Sequence, residues 1–72
     1  MTDAEARWAD DVARKVQEYE RAGFKSVPPI VDLAVASDLG FTADQTAAAI
    51  AGYDPNTLTR IVSRMRELGM IT

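Results

Sequence analysis

The chain has 72 residues, no cysteine and no histidine, and a formal charge of −3, which excludes a disulfide framework, a thiolate metal site and the commonest general base near neutral pH. A chain of this size makes one domain, residues 1–72, and buries only about 60% of the surface it exposes when unfolded. Its apolar runs fall far short of the ~20 residues of a membrane span, and Asp3, Glu5, Asp10 and Asp11 stand where a signal peptide needs a basic start and an apolar run, so the expectation is a cytoplasmic protein with no membrane attachment.

Alanine is frequent, glycine and proline are sparse, and β-branched runs are short, which predicts an all-α fold: a small helical bundle of four helices. The first helix is predicted over 3–21. Trp8, Val12, Val16 and Tyr19 fall on one face of it, widened by Ala9 and Ala13, with charged residues opposite and Gly23 as the closing residue. This stripe reads first as intramolecular core. Because Trp8 lies near a terminus, the same four residues are also the candidate dimer or partner surface. Pro28 and Pro29 interrupt the helical pattern, separating the long N-terminal helix (1–23) from a module over 29–72. Pro29 suits a first helical turn, so the second helix is predicted over 29–39. Ile30, Leu33 and Ala34 line one side of it and Val31, Val35 and Leu39 another, a pattern expected of a helix sandwiched between the first helix and the C-terminal part of the chain.

After Gly40, "FTADQTAAAIAG" opens with Thr42 as N-cap and Gln45 three residues on, the capping-box pattern, and Asp44 suits the positive end of a helix. The third helix is predicted over 43–51, with Ala47, Ala48 and Ala51 allowing close approach of a neighbour and Ile50 as its large anchor. Gly52 ends it, and Tyr53 beside the turn reads as a packing residue. The fourth helix opens with Asp54 as N-cap and Pro55 at the first helical position. Leu58, Ile61, Val62, Met65 and Leu68 form its buried stripe; Asn56, Arg60 and Ser63 point the other way, flanked by Thr59 and Arg64. Gly69 closes it, and Met70 and Ile71 are expected to emerge as a short extended piece.

Charge is uneven. Residues 1–23 carry six acids and four bases, residues 24–54 four acids and one base, and residues 55–72 three bases and one acid, so only the last helix is positive. Two short helices joined by a tight turn, the second with a polar outer face, make a helix-turn-helix arrangement, whose second helix enters the major groove. Asn and Arg side chains make bidentate contacts to base edges there, while Thr and Ser give phosphate or adaptable contacts. Asn56, Thr57, Thr59, Arg60, Ser63 and Arg64 are therefore the candidate DNA-binding residues, with Asn56 and Thr57 reading equally as first-turn capping residues.

The segment "DPNTLTRIVSRMRELGMI" resembles the recognition-helix segment of MarR-type winged helix-turn-helix regulators. The shared pattern is an Asp-Pro opening, a Thr-x-Thr-Arg turn, and an apolar-apolar-x-Arg-apolar run that closes at Gly-apolar-apolar. "FTADQTAAAIAGY" is similar to that family's supporting helix, with one residue more than its usual spacing, and "IVDLAVASDLG" to the helix before it, so the resemblance covers residues 30–71. It implies that Asn56, Thr57, Thr59 and Arg60 face the groove and that Arg64 and Arg66 lie near the phosphate backbone or make local ion pairs. The family continues into a β-hairpin wing and carries flanking dimerisation helices. Here the chain ends at Thr72, so the expectation is a minimal winged-helix-like module with its wing absent or vestigial.

The function expected is sequence-specific binding of double-stranded DNA by helix 54–68. The protein would be a transcription regulator or recombination accessory factor of the kind a compact phage genome encodes, working as a homodimer or beside a protein partner. No catalytic constellation is present, since Asp10 and Asp11 have no histidine or third carboxylate in register, so neither enzymatic activity, nor a cofactor, nor a metal is expected. The alternative is a protein-interaction module on a winged-helix-like scaffold, which would bind or inhibit a partner through the first helix or the acidic face around Asp32, Asp38 and Asp44.

Overall fold

A computed structural model describes residues 2–26 and 31–72, and within them the chain forms four helices and no strand. These are α1 (Asp3–Arg21), α2 (Leu33–Asp38), α3 (Ala43–Ile50) and α4 (Pro55–Glu67). The protein is an all-α, small helical bundle.

Local side-chain chemistry sets each boundary. The first N–H groups of a helix have no partner within it, and a short oxygen-bearing side chain supplies one. Thr2 caps α1, Asp32 caps α2, Thr42 caps α3 and Asp54 caps α4. At α3 the capping box is complete: the Gln45 N–H donates to Thr42 Oγ1 at 3.1 Å, and the Thr42 N–H donates to Gln45 Oε1 at 3.0 Å. The chain's four glycines each stand just past the end of a helix with positive φ. At Gly52, φ +73, the left-handed turn lets the Gly52 N–H reach the Ala49 carbonyl (3.1 Å) and the Tyr53 N–H the Ala48 carbonyl (2.8 Å). This pairing satisfies the last carbonyls of α3 and turns the chain directly into α4.

Packing departs from the expected arrangement in the middle of the chain. The sandwiched helix is α3, which lies between α1 and α4, while α2 packs on α4 with Leu33 and Ala34 exposed on its other side. The cause is side-chain size. Ala47, Ala48 and Ala49 are buried, so α3 admits a neighbour on each flank. Ile50, the expected anchor of α3, is half-buried, and Ala13 on α1 is exposed. The helix α2 is also shorter than predicted. Asp32 captures the N–H groups of Ala34 (2.8 Å) and Val35 (3.3 Å), which starts the helix at Leu33. The expected first turn at Pro29 and the core role of Ile30 lie outside the described residues. At the C-terminus Met70 and Ile71 form no strand; the Met70 N–H closes α4 on the Met65 carbonyl at 2.9 Å, and Ile71 packs against the core. The Cα radius of gyration, 11.7 Å, is near the ~11 Å of a compact chain this long, so α1 lies along its neighbours and does not project from them.

Candidate nucleic-acid interface

The helix α4 is held by its start, its inner face and its end. At the start, Asp54 accepts from the Thr57 N–H at 3.1 Å and from the Thr57 hydroxyl at 2.6 Å. The hydroxyl, followed by the backbone N–H groups, holds the Asp54 carboxyl below the usual carboxylate range. Inside, Ile61 is fully buried, and Met65 joins Val35, Ala36, Phe41 and Ala49 in the core, with Leu58 partly buried against them. At the end, Gly69 turns the chain away. A helix fixed in this way presents one outer face in a defined orientation.

The outer face carries Asn56, Thr59, Arg60 and Ser63, all exposed, at the i, i+3, i+4 and i+7 spacing that aligns side chains along one side of a helix. Asn56 and Ser63 have no side-chain hydrogen bond among the described residues. The Thr59 hydroxyl donates back to the Pro55 carbonyl at 2.8 Å, leaving its oxygen free to accept. The Arg60 guanidinium lies over the Phe41 ring, 4.7 Å from its centre. Arg64 is paired with Glu67 at 2.9 Å across one helical turn. Arg66 is exposed. Thr57 is a correction: it is buried, and its hydroxyl is committed to Asp54, so it builds the cap and does not face outward. A Thr two positions after Pro55 suits both readings by pattern, and the cap wins because the Asp54 carboxylate is in reach.

The N-terminal half of the stripe on α1, Trp8 and Val12, also needs correction as a partner surface. Val12 is buried, and Trp8 packs against the core with its indole N–H donated to the Phe41 carbonyl at 3.1 Å. Val16 and Tyr19 are half-buried. The stripe is used internally because the alanines of α3 bring the two helices together.

One cluster was not anticipated. Tyr19, at the end of α1, stacks on Tyr53 (ring centres 5.6 Å apart, planes 27° apart), and Phe24 meets both rings edge-on at 6.0 and 5.0 Å. The three rings line an open groove of about 430 Å³ with Glu18, Ala22 and Asp44. The Tyr19 hydroxyl donates to Asp44 at 3.3 Å. Partial burial, then the Asp44 carboxylate, push the Tyr19 hydroxyl pKa up, with smaller contributions from Tyr53 and Asp54. Half of this cluster had a sequence signal: an apolar residue just after a closing glycine commonly packs on the last turn of its helix, which pairs Phe24 with Tyr19. The approach of Tyr53 is a long-range contact with no such signal.

Compared with known proteins, the chain matches no protein family, no curated protein and no solved structure. Among the described residues no helix is long and apolar enough to cross a membrane.

Proposed function

We propose that this chain is a small sequence-specific DNA-binding protein of the helix-turn-helix class, with α3 as the supporting helix and α4 as the helix laid in the major groove. The observation that carries the reading is the outer face of α4: Asn56, Thr59, Arg60 and Ser63 are exposed together on a helix capped at both ends. The resemblance of residues 54–71 to MarR-type regulators supports the same assignment. Asn56 offers an amide able to pair bidentately with an adenine edge. Arg60 offers its outward N–H groups to a guanine edge or a phosphate while its plane rests on Phe41. Thr59 and Ser63 supply adaptable contacts, and Arg64 and Arg66 face phosphates. With three arginines on α4 and a net charge of −3, one copy binds weakly, and two copies on adjacent half-sites double the phosphate contacts. Work on DNA as a regulator or recombination accessory factor places the protein in the cytoplasm.

The test is fluorescence anisotropy of the full chain on labelled random duplexes over a salt series. The expected result is binding that weakens with salt, with a log–log slope of about −2 to −3 per bound copy. Asn56→Ala and Arg60→Gln each weaken it while leaving the helical circular dichroism intact. Absence of salt-dependent binding to any duplex at low salt contradicts the proposal.

A further inference from the structure

We propose that the groove formed by Tyr19, Phe24 and Tyr53 binds an arginine side chain presented by a basic segment of a partner protein. The rings are accessible: Tyr53 is 58% exposed and Phe24 39% exposed. Aromatic faces attract cations, and a guanidinium both stacks on a ring and bonds to carboxylates in one plane. Carboxylates are present for that second contact. Glu18 and Asp44 line the groove. Lys15 approaches Asp44 at 3.7 Å and offsets part of that charge, whereas Glu18 has no ion pair among the described residues. The same surroundings repel phosphate, which sets the groove apart from the DNA-facing side of α4. The chain also holds an internal example of the contact, since its own Arg60 guanidinium lies over Phe41 at 4.7 Å. No protein cation lies over the Tyr19, Phe24 or Tyr53 rings among the described residues. The inference stands independently of the DNA reading.

The experiment is an amide NMR titration of the full chain with a six-arginine peptide and, separately, with a six-lysine peptide. The expected result is shifts centred on Glu18, Tyr19, Phe24 and Tyr53, with the arginine peptide bound several-fold more tightly. Tyr53→Ala, which leaves the charge unchanged, weakens arginine-peptide binding about fivefold, and Phe24→Ala weakens it comparably. Three results would overturn the proposal: shifts spread over all acidic surfaces with unchanged affinity in Tyr53→Ala, equal binding of the two peptides, or a duplex DNA that perturbs these same residues.

Discussion

The chain has two aromatic sites, Trp8 with Phe41 and Tyr19 with Phe24 and Tyr53, and they differ in what covers them. Around Phe41 the cover is close: the residue is 7% exposed, Arg60 lies over its ring, and Trp8 holds its carbonyl. Around Tyr53 the three rings lean on one another beside an open groove lined by Glu18 and Asp44. Position in the chain explains the difference. Phe41 sits between α2 and α3, where α1 and α4 both reach it. Tyr19, Phe24 and Tyr53 sit at helix ends, where no further described element passes over them. The helix α3 serves both clusters, with Ala49 in the core beside Phe41 and Asp44 on the groove. The contrast separates an aromatic cluster that supports the fold from one left accessible to a ligand.

The largest effect that tests this contrast is the loss of Phe41. Phe41→Ala should cost ~3–5 kcal/mol, enough to remove most of the stability of so small a domain, whereas Tyr53→Ala, which loses two solvent-exposed ring contacts, should cost only about 1 kcal/mol. Urea unfolding of both variants checks this, and equal costs would make the second cluster part of the core. Trp8→Phe keeps most of the packing and leaves the Phe41 carbonyl without its donor, so a loss of about 1–2 kcal/mol is expected in the same assay.

On α3, Thr46 is fully buried and its hydroxyl has no partner among the described residues. Thr46→Val keeps the shape and removes the unpaired polar group, so it should stabilise the fold by about 1 kcal/mol. A lower melting temperature would mean that the hydroxyl has a hydrogen-bond partner after all.

The smallest effect lies at the start of α4. Because the Thr57 donors hold the Asp54 carboxyl below its ordinary value, the folded chain keeps Asp54 ionised at a pH where the unfolded chain takes up a proton. That stabilisation is fully present above the unfolded carboxylate value, about pH 4, and is lost as pH falls through the lowered folded value. The difference in melting temperature between the native chain and Asp54→Asn should therefore shrink on acidification below about pH 4. A difference that stays constant there would show that the ionised carboxylate adds nothing to the cap.

Features set by near neighbours were legible in the sequence. The limits of α1, the capping box of Thr42 and Gln45, the Asp54–Pro55 start and the glycine stops all follow from residues within about one helical turn of one another. The centre of the α4 stripe was legible too, because Ile61 and Met65 repeat at helical spacing and are buried, but Leu68, expected in the same stripe, is exposed past the last turn of α4. What was not legible depends on partners distant in sequence. Periodicity marked α2 as apolar on two sides, but only the alanines of α3, brought between α1 and α4, make α3 the central helix. On the candidate site, position put Arg60 outward and left Thr57 open between a groove contact and a first-turn cap. The carboxylate of Asp54 drew Thr57 in, and the Phe41 ring gave Arg60 an internal contact. Tyr53 joined Tyr19 from a distant part of the chain, beyond the reach of any local pattern.

The central claim is that the outer face of α4 meets a DNA duplex. Amide NMR of the full chain titrated with a random duplex at low salt tests it most directly. The account predicts shifts concentrated from Asn56 to Ser63 and extending to Arg66, reversed by added salt. Shifts absent from that segment, or confined to α1 and α2, would contradict it.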